Sequence, residues 1–456
     1  MRQKRFIKFG HTNDLEGQAA MGHIVGKDIY RKLGDKIDGL AFRAPWNEQF
    51  HSILKELYSP EEADVVVSMS YGLSSLGRIA RATNMEESAL RKIMDRLTSK
   101  GLVIDIWMND KYYYTPSPIA IGIFEFTMMR TDSPSQSRKW ARLFHNYFES
   151  DGGFLGKANF GNCEKISIMR TLPHEEALKQ SAYLEVLDYE KASAIVEKAD
   201  IFSIGICSCR HEKLHVGKKE CDVPLDTCSS IGSAAEYMIR HNFARKVSRT
   251  EMLDNITRSK ELGLVLNADN VQKNVSFICH CCKCCCNALL GISKFGYPNV
   301  VVTSNYMASI DPDACTGCGI CVKACPVNAI GLAEVTHHEK KKLRAVVDET
   351  FCLGCGVCAL KCKNGSVALV SRTQRVIHPE TTFERIILQS LERGTLQNQI
   401  FAQPDNVTHQ FMRAFVGGFL RLPPVKRALM SDLFRSRFLD TVKKGIKKKK
   451  GPIPEL

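Results

Sequence analysis

Eight cysteines near the three-quarter mark of the chain occur in two runs of identical spacing. Both runs fit C-x2-C-x2-C-x3-C, the spacing with which a compact loop wraps three corners of an iron–sulfur cubane. The runs are Cys315, Cys318, Cys321 and Cys325, then Cys352, Cys355, Cys358 and Cys362. Zinc sites of four cysteines differ, because they usually consist of two C-x2-C pairs and a longer spacer. The chemistry expected of these thiols is one-electron transfer by bound clusters.

Glycines inside both runs support the same interpretation. They let backbone amides approach the cluster sulfurs, and such amides stabilise the added electron and help to set the potential. The glycines concerned are Gly317, Gly319, Gly354 and Gly356. The runs also form an internal repeat with an offset of 37 residues (352 − 315), and each is followed by a short apolar strand, at 329–330 and at 367–369.

Together these features make residues 305–371 similar to the two-cluster bacterial ferredoxin family. In that family the fourth cysteine of each run binds the cluster of the other run. The resemblance implies two [4Fe–4S] clusters as cofactors. It implies Cys315, Cys318, Cys321 and Cys362 as ligands of cluster 1, and Cys352, Cys355, Cys358 and Cys325 as ligands of cluster 2. The chain departs from the family at Lys363, which replaces a proline; this loosens one turn and leaves all eight ligands in place.

Ten further cysteines lie upstream in two groups, and Cys163 stands apart as an expected lone buried thiol. Thiols packed closely need a metal or a covalent bond, since thiolates repel one another and thiols oxidise. The first group is Cys207, Cys209, Cys221 and Cys228. The hypothesis is that the ten cysteines hold at least one further iron–sulfur cluster, which feeds electrons to the ferredoxin-like segment. For the first group, a structural zinc or a redox-active dithiol are the alternatives. The second group is the run at 279–286, for which no ligand assignment is made. Arg210 would offset a cluster's negative charge. The nearby histidines are not expected to be ligands; they are His211, His215 and His280.

The N-terminal third contains a different pattern. A helix with an apolar face precedes a short helix, a turn, a longer helix and two strands around Asn109-Asp110. This order resembles a winged-helix domain over residues 48–130, in which the second helix can enter the DNA major groove. The cations available for phosphate contacts are Arg91, Lys92, Arg96 and Lys100. Glu86 and Glu87 begin that helix and disfavour DNA binding, so a protein-docking or dimerising role is expected instead.

The formal net charge of +14 is concentrated at the end of the chain. Residues 371–456 contain 16 Lys and Arg against 7 Asp and Glu, a net of +9. Phenylalanines and leucines recur there at helical spacing between the basic residues. Such a basic amphipathic tail can make peripheral contact with an anionic membrane, dock on an acidic partner or pack on its own protein. All three alternatives stay open.

Two features that the sequence lacks bear on the cellular compartment of the protein. The sequence has no run of about 18 consecutive apolar residues, and its basic start is not followed by the apolar stretch of a signal peptide. Clustered cysteines in a chain without a signal peptide favour metal binding over disulfides. The sequence therefore predicts a cytoplasmic protein in reducing, oxygen-poor surroundings.

The segments predict an α+β multidomain chain. The expected order is an N-terminal extension (1–47), a winged-helix-like domain (48–130), a cysteine-rich mixed domain (131–300), a 2[4Fe–4S] ferredoxin-like domain (301–372) and a basic helical tail (373–456). Within the cysteine-rich domain, the periodicity predicts helices over 234–245 and 250–262.

Motifs for nucleotide binding, S-adenosylmethionine radical chemistry and hydrolysis are absent from the sequence. No catalytic site of its own is recognisable, so whether the chain is an enzyme stays open. The leading hypothesis is a cytoplasmic electron-transfer protein, a subunit or accessory partner of an anaerobic redox enzyme, with redox proteins as donor and acceptor. The alternatives are an iron–sulfur redox-sensing winged-helix transcription regulator and an oxidoreductase with an unusual cluster at 279–286.

Overall fold

A computed structural model describes residues 28–131, 133–162, 164–179, 186–337, 340–401, 407–420, 422–431 and 435–442. The expectations for the start of the chain, for a buried thiol at Cys163 and for the Lys447–Lys450 run lie outside the described residues. The domain boundaries given above stay predictions.

Three helices open the described chain: α1 (Ile29–Asp38), α2 (Glu48–Leu57) and α3 (Pro60–Ser68). The apolar face predicted for α2 is confirmed. Its buried residues are Phe50, Ile53, Leu54 and Leu57. Helix α3 begins with a reciprocal cap, in which the Glu62 amide donates to the Ser59 hydroxyl (3.2 Å) and the Ser59 amide donates to the Glu62 carboxylate (2.9 Å). The cap satisfies amides that the first turn would otherwise leave unpaired.

A helical pair and a three-stranded sheet follow. The elements are β1 (Ser74–Ser75), α4 (Leu76–Thr83), α5 (Glu87–Ser99), β2 (Val103–Met108) and β3 (Lys111–Pro116). The strands pair antiparallel in the order β1-β3-β2. Asn109 and Asp110 both adopt left-handed conformations, which suits a two-residue hairpin turn. The predicted helix, turn, helix and hairpin are present, while the winged-helix assignment stays a prediction.

A seven-stranded sheet lies at the centre of the cysteine-rich region. Its strands are β4 (Met169–Leu172), β5 (Phe202–Ile206), β6 (Asp226–Ile231), β7 (Ala244–Val247), β8 (Val265–Asp269), β9 (Phe277–Cys281) and β10 (Val301–Val302). Their order in space is β10-β4-β8-β9-β6-β5-β7. All neighbouring pairs are antiparallel except β10 with β4. Strands β9, β6 and β5, which carry or precede upstream cysteines, therefore lie side by side.

Eight helices precede, connect or follow these strands. They are α6 (Phe124–Met129), α7 (Pro134–Glu149), α8 (Phe154–Phe160), α9 (Ala192–Glu197), α10 (Ser208–His215), α11 (Ser233–Arg240), α12 (Arg249–Glu261) and α13 (Asn287–Ser293). The helix predicted over 250–262 is confirmed to within one residue. The helix predicted over 234–245 is wrong at its end, because Asn242 is left-handed and residues 244–247 pair with β5 as an edge strand.

Residues 305–371, the cysteine-repeat segment, contain two strand pairs and two short helices. Their bounds are β11 (Tyr306–Ile310), α14 (Ile320–Ala324), β12 (Ile330–His337), β13 (Lys340–Val347), α15 (Val357–Leu360) and β14 (Val367–Ser371). Strand β11 pairs antiparallel with β14, and β12 with β13. Because the first strand pairs with the last, the loops of the two cysteine runs are held within one small unit.

The C-terminal helices are α16 (Thr382–Arg393), α17 (Leu396–Ile400), α18 (Val407–Leu420) and α19 (Pro423–Met430). Leu420 and Leu439 are buried in one apolar cluster with Ile387, Leu388 and Leu391 of α16. This packing favours the third alternative for the basic tail, while contact with a membrane or an acidic partner stays a prediction. In the described part of the chain, every helix is too short or too polar to cross a membrane.

The connection between the cysteine-repeat segment and α16 contains a buried histidine. His378 is 4% exposed, its Nδ1 lies 2.7 Å from Asn270 Oδ1, and burial lowers its pKa to about 3. The pKa is depressed below the unfolded value of about 6.5. The stability that neutral His378 contributes is therefore complete above about pH 6.5, and it is lost as the pH falls from there toward 3.

We expect wild-type protein to lose about 2 kcal/mol more unfolding free energy than His378→Gln when the pH falls from 7.5 to 5, because only the unfolded wild-type chain gains the proton. Glutamine keeps an amide donor but does not titrate. The measurement is urea unfolding of both proteins, anoxically, at both pH values. Equal losses in the two proteins would contradict the assignment.

Candidate metal centres

Two small cavities in the cysteine-repeat segment are each lined by four cysteines. Site 1 is lined by Cys315, Cys318, Cys321 and Cys362. Site 2 is lined by Cys325, Cys352, Cys355 and Cys358. In both, three cysteines come from one run and the fourth comes from the other run. This is the crossed arrangement that the family resemblance implies, and a small cavity with four thiol donors fits a cubane cluster.

The two sites differ in exposure. All four cysteines of site 2 are buried, whereas Cys318 of site 1 is exposed and Cys362 is half-buried. Burial raises the pKa of Cys355, and it raises the pKa of Cys358 to about 12. Thiols with such pKa values stay protonated at neutral pH unless a metal replaces the proton. The thiols of site 2 are therefore expected to lose their protons only when a metal binds.

Glycines in left-handed conformations bring each run against a neighbouring strand. A Cβ atom on Gly354 (φ 69°) would overlap the carbonyl oxygen of Tyr306 and the hydroxyl of Ser304. A Cβ atom on Gly317 (φ 70°) would overlap the carbonyl oxygen of Leu343. The loops therefore pass so close to β11 and β13 that no side chain fits, which gives these two glycines a steric reason in addition to the electrostatic one.

The upstream cysteines form a second thiol-rich region around β9. Cys279 and Cys281 lie on one face of this strand, because residues two apart on a strand point the same way. Cys228 is on the adjacent strand β6, and Cys207 directly follows β5. We call six of the upstream cysteines the six-thiol chamber: Cys207, Cys209, Cys228, Cys279, Cys281 and Cys286.

The chamber encloses a cavity of about 180 Å³. Most of the remaining wall is apolar, with Phe124, Met169 and Phe295 among its members, and Cys282 and Cys285 also reach it. Successive chamber thiols are close enough to perturb one another's pKa, namely Cys228 and Cys279, Cys279 and Cys281, Cys281 and Cys286, and Cys286 and Cys209. The cavity thus combines many thiol donors with a largely apolar lining, which suits a metal cluster rather than a polar substrate.

A buried polar network holds helices α10 and α13 at the chamber. The Glu212 carboxylate accepts a hydrogen bond from Asn287 Nδ2 (3.0 Å), and its Oε1 lies 2.8 Å from His145 Nδ1. Glu212 has no exposed surface, so these contacts satisfy a charge that would otherwise be costly to bury. Since α10 carries Cys209 and α13 follows Cys286, the network positions two chamber thiols.

The histidines near the cysteines are engaged elsewhere. His280 lies on the face of β9 opposite to its neighbouring cysteines, with Nδ1 2.6 Å from Ser259 Oγ and Nε2 2.8 Å from Ser229 Oγ. His211 Nδ1 lies 2.6 Å from the carbonyl oxygen of Met128. These contacts engage both ring nitrogens of His280 and one of His211, while the exclusion of the three histidines as metal ligands stays a prediction.

The remaining four upstream cysteines form the four-thiol group: Cys221, Cys282, Cys284 and Cys285. Their Sγ atoms all lie within 4.8 Å of one another. The Sγ atoms of Cys221 and Cys282 are 3.7 Å apart, and those of Cys284 and Cys285 are 3.4 Å apart. Both distances exceed the bond of about 2.05 Å in a disulfide, so the thiols are free.

The structure divides the four cysteines that the sequence grouped at 207–228. Cys207, Cys209 and Cys228 belong to the chamber, whereas Cys221 belongs to the four-thiol group. Sequence reasoning missed this division and left the run at 279–286 unassigned. The alternation of cysteine, histidine and cysteine at 279–281 is a strand signal that could have indicated shared chamber thiols. No sequence signal indicates the partners of Cys221.

Comparison with known proteins gives one result. Residues 314–366 match the family model described as a 4Fe-4S dicluster domain, and these 53 residues (366 − 314 + 1) include all eight cysteines of the two runs. No curated protein and no solved structure gives a significant match. The matched residues are an iron–sulfur domain of the ferredoxin type, within a chain of mixed α and β structure.

Proposed function

We propose that the protein relays single electrons through two [4Fe–4S] clusters bound at sites 1 and 2. The observation that carries this proposal is the pair of small cavities, each lined by four cysteines of the crossed sets, within the segment that matches the dicluster model. Bound there, a cluster supplies a one-electron centre. The chain contributes the thiolate ligands, the close approach of the glycine loops, and the exclusion of water from site 2.

The difference in exposure gives the relay an outer and an inner end. Cys318 of site 1 is exposed, and exposed apolar side chains lie on α14, β12 and β13: Ile320, Leu332 and Leu343. The position of a Cβ on Gly319 is 3.5 Å from Leu332 Cδ1, which places that leucine beside the first run. An apolar patch next to an exposed redox centre suits transient docking of another redox protein. We place the exchange with donor or acceptor there.

Site 2 connects the relay to the upstream thiols. Cys281 and Cys286 of the chamber belong to one buried apolar cluster with all four site 2 cysteines and with two of the four site 1 cysteines. We therefore place a further iron–sulfur centre in the six-thiol chamber, as the inner end of the relay. The buried guanidinium of Arg210 supports it: the side chain is held by the His280 carbonyl oxygen (2.6 Å) and the Thr227 hydroxyl (2.8 Å), and its charge offsets that of nearby thiolates.

The helical pair near the N-terminus is proposed to bind protein rather than DNA. Arg96 donates to Glu61 (2.9 Å) and Lys100 donates to Glu62 (2.8 Å), so two of the four cations expected to contact phosphates are neutralised within this region. The two glutamates that begin α5 are exposed. Such a surface suits docking of another protein.

For the whole protein, we propose a role in the cytoplasm as a subunit or accessory partner of an anaerobic redox enzyme.

The test is chemical analysis and spectroscopy of anoxically purified full-length protein. We expect at least about eight iron and eight acid-labile sulfide per chain, with more if the chamber is filled, and an electron paramagnetic resonance signal of reduced cubanes after dithionite treatment. Oxidation by a one-electron acceptor should remove that signal reversibly. Folded protein that contains neither sulfide nor a reducible signal would overturn the proposal.

A further inference from the structure

We infer that the four-thiol group binds a single tetrahedral divalent metal ion of the zinc and iron(II) class, separate from the clusters of the relay. The inference stands on the geometry of Cys221, Cys282, Cys284 and Cys285 and does not depend on the proposed function. It assigns Cys221 to a different metal from Cys228, although the two are only seven positions apart in the sequence (228 − 221).

The sulfur–sulfur distances indicate one ion rather than a cluster. A tetrahedral ion with metal–sulfur bonds of about 2.3 Å holds its sulfurs about 3.8 Å apart. The group has distances of 3.7 Å and 3.4 Å, and none exceeds 4.8 Å. A cubane keeps its cysteinyl sulfurs farther apart, because each binds a different iron. The eight cysteines of sites 1 and 2 are all described, and no three of them have their sulfur atoms within 4.8 Å of one another. The chain therefore contains both the short sulfur–sulfur distances of the four-thiol group and the longer ones of sites 1 and 2.

The donors and their surroundings agree with that geometry. All four ligand atoms are thiol sulfurs, and tetrahedral sets of four thiolates select zinc or iron over the harder divalent ions. Cys282 and Cys285 are buried with Val223 and Leu264 in one small apolar cluster, and the other two cysteines are half-buried. A closed set of four cysteines is typical of metal sites that stabilise structure rather than catalyse.

Nearby cations compensate the charge. Four thiolates and one divalent ion carry a net charge of −2. The positive charge of the fully buried Arg210 acts on Cys282 and lowers the pKa of its thiol, and Arg210 Nη1 donates to the carbonyl oxygen of Pro224 (2.6 Å). Lys219 donates from Nζ to the carbonyl oxygen of Cys221. Positive groups thus flank the group on the side of the α10–β6 connection.

The ion has a structural consequence for the chamber. Cys221 lies in the connection between α10 and β6, and the other three cysteines lie in the loop between β9 and α13. One ion would tie these two segments together. The loop ends at Cys286, a chamber thiol, so the ion would hold the chamber closed without itself carrying electrons.

The experiment compares Cys221→Ala with Cys228→Ala in full-length protein purified anoxically, with zinc, iron and sulfide measured per chain. We expect Cys221→Ala to lose one zinc, or one iron without sulfide, and to keep the sulfide content of wild type. Cys228→Ala should keep that ion. Whether Cys228→Ala also loses cluster iron tests the proposed chamber centre, so failure of one proposal is distinguishable from failure of the other.

Two results with the variants would overturn the inference. One is the loss of iron together with sulfide in Cys221→Ala, which would place a cluster at the group. The other is loss of the same metal from both variants, which would mean that Cys221 and Cys228 bind one metal, as their proximity in the sequence predicts. Since Cys221→Ala can fail to fold, X-ray absorption at the zinc and iron edges of wild type supplies a second measurement. We expect four sulfurs at about 2.3 Å around an ion with no metal neighbour; zinc absent and every iron having an iron neighbour would also overturn it.

Discussion

Replacing Cys325 by alanine is expected to remove the cluster of the second run and to leave that of its own run in place. Cys325 ends the first run in the sequence, but the structure places it with Cys352, Cys355 and Cys358 around site 2. A cubane needs all four corners held, and site 2 is buried, so no outside ligand replaces the missing thiolate. We expect a loss of about four iron and four sulfide per chain, which is one [4Fe–4S] cluster.

Double variants identify which cluster is lost. Cys325→Ala with Cys358→Ala should lose no more iron than Cys325→Ala alone, because both thiols line site 2. Cys325→Ala with Cys321→Ala should lose twice as much, because Cys321 lines site 1. Iron and sulfide analysis with Mössbauer spectra measures both. The opposite pattern, in which adding Cys321→Ala to Cys325→Ala causes no further loss of iron, would show that each run holds its own cluster.

The second large effect is expected from Gly354→Ala. The added Cβ would overlap the Tyr306 carbonyl oxygen and the Ser304 hydroxyl, and the left-handed backbone (φ 69°) adds strain of its own. Overpacking against backbone costs about 3 kcal/mol and the left-handed conformation about 1 kcal/mol, so we expect a loss of about 4 kcal/mol of unfolding free energy. Because Gly354 lies between two ligands of site 2, its cluster should be lost as well. Unfolding by guanidinium and iron content are the measurements.

Gly365→Ala is the matched control. Gly365 has nearly the same backbone conformation (φ 64°), and its Cβ would meet nothing within 4 Å. Only the strain of about 1 kcal/mol should remain, with the iron content unchanged. Similar losses in the two variants would mean that the close approach to β11 does not matter and that backbone conformation alone explains the glycines.

Local features of the fold were predictable because their causes are local. The apolar spacing of α2 and the Asn109-Asp110 turn each depend on residues within a few positions of one another. The helix predicted over 234–245 was wrong where a distant partner intervened. Residues 244–247 pair with β5 across about 40 residues of chain, and this pairing outweighs local helical preference.

The sequence by itself determined that eight thiols in the cysteine-repeat segment suit iron–sulfur clusters, since the ligands of a cubane come mainly from one loop and their spacing is written along it. Only the tertiary structure decided how the ten upstream cysteines divide. Cys221 and Cys228 are close in sequence but separate in space, whereas Cys228 and Cys279 meet because β6 and β9 are neighbours in the sheet. Spacing along a chain describes a loop, but the ligands of a site assembled from several strands are set by strand order, which depends on contacts between distant segments.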